Sequence, residues 1–217
     1  MKRQGELFLA QKPLIQAQEP KDNLLPYDGE VFYYGVFLSP EQQTELFGPL
    51  RKTIQWQQEC VTLFGKTHHL SRQVAWFHHE QQPYHYANSI KLPQPNNQVI
   101  ALIQHQVESL TGQTYNSCLA NFYPDGTSGM GWHSDNEPVF AKAHSIASVS
   151  LGAQRSFQLK HKTSEEKVTI ELASGSLLEM AGPTQQHWLH ALPKRKRVYE
   201  PRINLTFRQF LTKPDKC

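Results

Sequence analysis

In GWHSDNEPVF, residues 131–140, a histidine and an aspartate stand two positions apart, His133 and Asp135. Alternate residues of a β-strand project to the same side, so on a strand these two side chains converge as metal ligands. A metal needs a third protein ligand, and GPTQQHWLHALP, residues 182–193, offers His187 and His190. Two histidines and one carboxylate on a single face of an ion leave coordination positions open, the arrangement of non-haem Fe(II) oxygenases, although zinc accepts the same donors.

Two further segments repeat the period of two. In RINLTFRQF, residues 202–210, Arg202, Asn204, Thr206 and Arg208 fall on one face and Ile203, Leu205, Phe207 and Gln209 on the other. Taken alone, this is equally an edge strand with a solvated face. In LANFYPDG, residues 119–126, Asn121 and Tyr123 share a face. A barrel would gather these polar sets and the His133–Asp135 pair at its mouth, a common place for a ligand pocket.

The elements that must position them can be read from the same chain. After Asn116, short β-rich runs alternate with turn residues: CLANFY, SIASVSLG, RSFQLKH, KVTIEL, GSLLEM, HWLHAL and RINLTFRQF. Strands at this spacing predict a sandwich or jelly roll. Ahead of them, VFYYGVFLSPEQQTELFGPLRKTI reads as a strand and then a helix, capped by Ser39 with Pro40 at its first position. NNQVIALIQHQVESLTG reads as a second helix, with Val99, Ile100, Ile103, Val107 and Leu110 at helical spacing and Gly112 ending the pattern. The expected class is α+β, mainly β, with the helices buttressing the sheet.

The 217 residues suit one domain. Residues 1–30, polar and punctuated by proline, read as a loosely ordered arm, and 31–217 as a single domain whose core spans 115–213 behind a region of strands and helices at 31–114. No run of about 18 apolar residues is present, so no membrane span is expected. The amino terminus lacks the apolar segment and cleavage site of a secretory signal. Cys60, Cys118 and Cys217 are odd in number and form no CxxC, so neither a disulfide framework nor a cysteine zinc site is indicated, and a reducing cytoplasm is expected. The net charge of +3 leans weakly toward a polyanionic partner.

With these residues in view, the chain resembles the AlkB family of Fe(II)- and 2-oxoglutarate-dependent dioxygenases, above all its nucleic-acid repair branch. The resemblance rests on NFY at 121–123, HSD at 133–135, SIASVSLGAQRSF at 145–157, GSLLEM at 175–180, HALP at 190–193 and RINLTFR at 202–208. It implies a double-stranded β-helix, or jelly roll, in which His133, Asp135 and His190, rather than His187, hold Fe(II). Arg202 would pair bidentately with the distal carboxylate of 2-oxoglutarate, a match that lysine's point charge cannot make. Asn121, Tyr123, Asn204, Thr206 and Arg208 would complete the co-substrate pocket, with Arg208 near the metal-side carboxylate.

The activity so implied is O2-dependent hydroxylation of N-alkyl groups on nucleobases such as 1-methyladenine and 3-methylcytosine, with loss of formaldehyde. The partner is alkylated DNA, with RNA second, and the chain is read as a monomer with no membrane partner. Two rival readings stay open: a 2-oxoglutarate oxygenase of RNA modifications or protein side chains, and a non-catalytic ligand-binding β-barrel.

The resemblance also gives work to the amino-terminal half. VTLFGKTHHLSRQVAWF, residues 61–77, looks like a hairpin with Phe64, Gly65 and Lys66 at its tip, placed to wedge a ring into a duplex and help extrude a nucleotide. The other reading is a hairpin with a buried Phe. Arg72 stands at the position of a nucleic-acid-contacting arginine, after Ser71 where proline is usual. In PYHYAN, Tyr84 and Tyr86 face one side, where the family stacks the flipped base. An alkylated base is cationic, and aromatic faces attract cations by roughly 0.5–2 kcal/mol. Glu137 would add a carboxylate beside the pocket, and Asn136 replaces a second aspartate common in relatives. The paired histidines at 68–69 and 78–79 read as loop residues, and PKRKR at 193–197 as a solvated basic loop within reach of phosphates.

Overall fold

The computed structural model describes residues 22–63, 66–86, 89–140 and 145–211. In chain order the elements are β1 (Glu30–Val36), α1 (Pro40–Thr53), β2 (Gln57–Leu63), β3 (Lys66–His78), β4 (Tyr84–Tyr86), β5 (Ser89–Lys91), β6 (Pro93–Gln94), α2 (Gln98–Thr111) and β7 (Ser117–Tyr123). They continue with β8 (Met130–His133), β9 (Ile146–Gly152), β10 (Arg155–His161), β11 (Lys167–Leu172), β12 (Ser176–Ala181), α3 (Thr184–His187), β13 (Trp188–Leu192) and β14 (Arg202–Arg208). The larger sheet runs β1-β12-β9-β14-β7-β3-β2, with β6 beside β3, and a smaller one runs β11-β10-β13-β8. Tyr123, Ile146 and Met180 of the larger sheet pack with Phe157, Leu159, Ile170, Trp188 and Leu192 of the smaller in one apolar cluster. The two sheets therefore face each other as a jelly roll, and each β-rich run read from the sequence after Asn116 is a strand, within the residue or two by which boundaries ordinarily vary.

The helices start and stop where their end residues dictate. Ser39 Oγ accepts the Gln42 N–H at 3.2 Å while Gln42 Oε1 accepts the Ser39 N–H at 2.8 Å, a capping box with Pro40 behind it. Asn97 caps α2, and Gly112 ends it with φ 68°, a left-handed conformation that glycine adopts without a Cβ clash. Both helices lie on the back of the larger sheet, where Leu46, Leu50, Ile103 and Val107 pack against Ala120, Val149, Leu177, Ile203, Leu205 and Phe207.

β14 lies between β7 and β9, at the centre of the larger sheet. This corrects the edge-strand reading: Ile203, Leu205 and Phe207 face the helices, and Arg202, Asn204, Thr206 and Arg208 are as thoroughly buried on the other side, none more than 8% exposed. Alternation alone could not distinguish a solvated face from a polar interior, because both have a period of two.

Three other expectations change. His133 is the last residue of β8 and Asp135 lies beyond the strand, so strand alternation is not what aligns them. His68 and His69 belong to β3 and pair with β2, and His78 ends β3 almost fully buried; β3 must run this far because its second half pairs with β7. Residues 22–29, read as part of a loose arm, are tied down. Asn23 Oδ1 accepts the Leu25 and Val31 N–H groups at 3.1 and 2.8 Å, and the Tyr27 carbonyl accepts the Trp188 indole N–H at 3.1 Å. Among the described residues, no helix is long and apolar enough to cross a membrane.

Gly152, between β9 and β10, has φ 89°, and a Cβ there would sit 2.3 Å from the Pro201 carbonyl oxygen, a backbone atom. Gly152→Ala is expected to destabilise the fold by about 1–3 kcal/mol, read as a lower denaturant midpoint at unchanged slope. A midpoint within error of the parent would show that the β13–β14 connection yields freely.

Candidate active site

The central position of β14 makes its polar face the floor of a cavity. Its register sets Arg202 level with Tyr123 and Gly152, and Asn204 level with Asn121 and Ser150. Arg202 is 2% exposed; its Nη2 donates to Ser150 Oγ at 2.9 Å, its Cζ lies 5.4 Å from the Tyr123 ring centre, and its Nε has no hydrogen bond. Burial pushes its pKa down to about 10, which leaves it charged at neutral pH. A buried cation with an unused donor is costly unless an anion meets it, so this end of the cavity suits a carboxylate. Asn204 is fixed by donating to Ser148 Oγ at 2.8 Å and the Val149 carbonyl at 3.1 Å, and Thr206 Oγ1 donates to Asn204 Oδ1 at 3.1 Å.

The smaller sheet supplies the opposite wall. β13 and β8 pair with His190 directly across from His133, and the two rings lie 4.2 Å apart. His133 Nδ1 donates to the Gly131 carbonyl at 2.9 Å, which leaves the Nε2 lone pair for a metal. Asp135 is placed by its backbone, whose N–H donates to Gln185 Oε1 at 2.9 Å, and by Arg208, whose Nε (3.0 Å) and Nη2 both donate to Asp135 Oδ2. The ligand atoms of His133, Asp135 and His190 all lie within 4.8 Å of one another. His187 is not among them; it sits in α3, stacked against His161.

The charges suit a cation. Burial alone would raise the Asp135 pKa, but the Arg208 guanidinium, with His190 and His133 behind it, holds the carboxyl far below its ordinary value. Burial, and then His133, lowers the His190 pKa to about 3. One carboxylate and two imidazoles are a donor set suited to a divalent ion.

The cavity wall continues through Arg72, Tyr84, Glu59 and Lys91. Arg72 turns inward, 7% exposed, with Nη1 donating to Asn121 Oδ1 at 3.1 Å and Nη2 to Glu59, which also takes Lys91. Tyr84 packs on Trp76, ring centres 4.8 Å apart, and donates to Glu137 Oε1 at 3.0 Å. Burial, and then the charge of Asp135, raises the Glu137 pKa. Asn136 is exposed and outside the cavity lining; Asp135 points in toward Arg208, and its neighbour points out. Phe64 and Gly65 lie outside the described residues. Lys66 is described only by its backbone, paired with Leu63, and Tyr86 only by its backbone, paired with Ser89.

Residues that the sequence reading passed over also hold the site. Ser148 and Ser150 alternate with apolar residues in SIASVSLG just as Arg202 and Asn204 do in β14, and that period could have found them. Gln185, Glu59 and Lys91 carry no pattern; only the fold brings them in.

Comparison with known proteins bears on this cavity directly. The sequence pattern of the 2OG-Fe(II) oxygenase superfamily matches residues 30–208. The chain belongs to that superfamily. It is 39% identical over 189 residues to the DNA oxidative demethylase ALKBH2 of Homo sapiens, covering 82% of this chain and 72% of that protein. It is 34% identical over 194 residues to the alpha-ketoglutarate-dependent dioxygenase alkB homolog 3 of Homo sapiens, covering 85% and 67%. Identity at this level over most of the chain makes it an AlkB-family dioxygenase. A solved structure of OsALKBH1 superposes with a TM-score of 0.59 at 17% identity, over 85% of this chain and 99% of that one, a likeness of fold. The cofactors of the superfamily are Fe(II), 2-oxoglutarate and O2, and the donor set and the unpaired Arg202 Nε fit the first two.

Arg202→Lys is expected to weaken 2-oxoglutarate binding by roughly 10- to 150-fold, since a hydrogen bond to a charged group contributes about 1.5–3 kcal/mol. Calorimetric titration with Mn(II) in place of iron measures this without turnover. Unchanged affinity would remove Arg202 from that role.

Proposed function

We propose that this chain is an oxidative dealkylase of DNA bases, taking N-alkyl groups such as those of 1-methyladenine and 3-methylcytosine. The observation that carries the reading is a single cavity with a His–Asp–His ligand group on one wall and a buried arginine with a free donor on its floor. The likeness to a DNA oxidative demethylase directs it to alkylated DNA.

In this reading His133, Asp135 and His190 hold the iron. Arg202 takes the distal carboxylate of 2-oxoglutarate, and Arg208 keeps Asp135 ionised and oriented while facing the other end of the co-substrate. Asn121, Tyr123, Asn204 and Thr206 shape the pocket between them. Bound Fe(II), with 2-oxoglutarate and O2, supplies the oxidation that hydroxylates the N-alkyl carbon as 2-oxoglutarate becomes succinate and CO2. The resulting N-hydroxymethyl base loses formaldehyde by itself, so no protein base is required.

The remaining residues position the nucleic acid. Tyr84 offers a ring beside the cavity and Glu137 and Asp135 a negative field, both favourable to a cationic base. In this reading Tyr86 and Asn136 would contact the incoming strand, and Arg72, which lines the cavity, braces Asn121. Phe64, Gly65 and Lys66 would enter the duplex and unstack the target base. The division at residues 31–114 and 115–213 follows these two tasks. The same reading takes the protein as a monomer in a reducing cytoplasm, in keeping with free Cys60 and Cys118.

Anaerobic reconstitution with Fe(II), followed by mass spectrometry of oligonucleotides carrying 1-methyladenine or 3-methylcytosine, tests this. Loss of one CH2 in mass is expected only with both 2-oxoglutarate and air. If DNA is untouched while methylated RNA or a peptide is turned over, the substrate assignment fails. Asp135→Ala should abolish turnover, and near-normal iron-dependent activity in that variant would rule out the ligand group. Phe64→Ala should slow repair of duplex more than of single strands; equal losses on both would rule out the wedge.

A further inference from the structure

Outside the cavity, the described residues hold a second ligand group of the same composition. Asp28, His161 and His187 each present a ligand atom within 4.8 Å of the others. They come from three separate pieces of chain: the segment ahead of β1, the end of β10 and the end of α3. His161 is 6% exposed, and its Nε2, wholly shielded from solvent, makes no hydrogen bond; Asp28 Oδ2 lies 3.4 Å from it. The His187 ring lies almost parallel to it, 13° between planes at 6.4 Å.

The rest of the His161 ring is held in place. Tyr27 and Trp188 meet it edge-on at 5.0 and 5.1 Å, and its Nδ1 accepts the Ser164 N–H at 3.1 Å and lies 3.0 Å from Ser164 Oγ. That hydroxyl is in turn 2.7 Å from Tyr27 Oη, which donates to Glu166 Oε2 at 2.8 Å. A buried ring nitrogen without a partner is costly. With Nδ1 so engaged, Nε2 is turned toward a carboxylate and a second imidazole and makes no hydrogen bond of its own.

We propose that Asp28, His161 and His187 bind a divalent transition-metal ion, zinc by donor preference, at a site distinct from the catalytic ligands. Binding of the ion at His161 Nε2 would move the ring proton to Nδ1, exchanging the hydrogen bond that Nδ1 accepts from the Ser164 N–H for one that it donates to Ser164 Oγ. Asp28 and His187 are exposed, which gives the ion a route from solvent and leaves room for water as a fourth ligand. The ion would fasten residues 22–29 to the β10–β11 hairpin and to α3. α3 also carries Gln185, which holds the Asp135 N–H, and leads directly into β13 with His190. The clamp would thus stiffen the support of two catalytic ligands.

Equilibrium dialysis of the metal-free full chain against zinc tests the proposal. The parent is expected to take up two equivalents, His133→Ala one, His187→Ala one, and the double variant none. In the His133→Ala background zinc should raise the Tm, and adding either His187→Ala or Asp28→Asn should remove the rise. Retention of the catalytic equivalent in His187→Ala reports that this variant is folded. One equivalent in the parent, lost with His133→Ala and kept with His187→Ala, overturns the proposal, as does a second equivalent that survives His187→Ala.

Discussion

The buried contact between Asp135 and Arg208 joins the two sheets at the point where chemistry is to happen. Asp135 comes from the chain just past β8, in the smaller sheet, and Arg208 from the end of β14, at the centre of the larger one. Removing one partner of such a pair leaves an uncompensated buried charge, a loss of about 3–5 kcal/mol. The pair therefore ties the two sheets together here, keeps the Asp135 carboxyl ionised and sets the direction in which it points.

Around that contact, β14 divides the molecule. Its apolar face joins the helix-backed core, and its polar face supports the cavity. Burying four polar side chains in a row is tolerable because serines of β9 and the Val149 carbonyl accept or share their hydrogen bonds. Where that compensation stops is informative. Among the described residues, seven buried side-chain polar atoms lack a hydrogen bond, and they include Arg202 Nε and Arg72 Nε in the cavity, Glu137 Oε2 beside it and His161 Nε2 in the outer ligand group. Native structures leave few such atoms, and the other three, on His78, Gln106 and Arg155, lie away from both ligand groups.

The segment ahead of β1 extends this support outward. Its turn, closed on Asn23, lays Tyr27 and Asp28 over Trp188 and His161. The elements beneath it are those that carry His190 and brace Asp135, so order in this segment and order at the ligand group are mechanically connected through α3 and β13.

Much of this was legible in the order of residues. Period-two runs gave the strands after Asn116, Ser39 and Gly112 marked helix ends, and the ordered set from NFY to RINLTFR pointed to the superfamily. These are local signals, set by backbone periodicity, capping chemistry and short motifs. Tertiary structure alone decided that β14 is central rather than an edge, since a polar face buried against serines has the same pattern as one facing water. It also decided that Asp135 reaches the ligand group by a turn off the strand, that Arg72 points inward to Asn121 and Glu59, and that Asp28 meets His161 and His187. Each of those contacts joins residues far apart in the chain, and no local pattern encodes which distant strand will lie alongside.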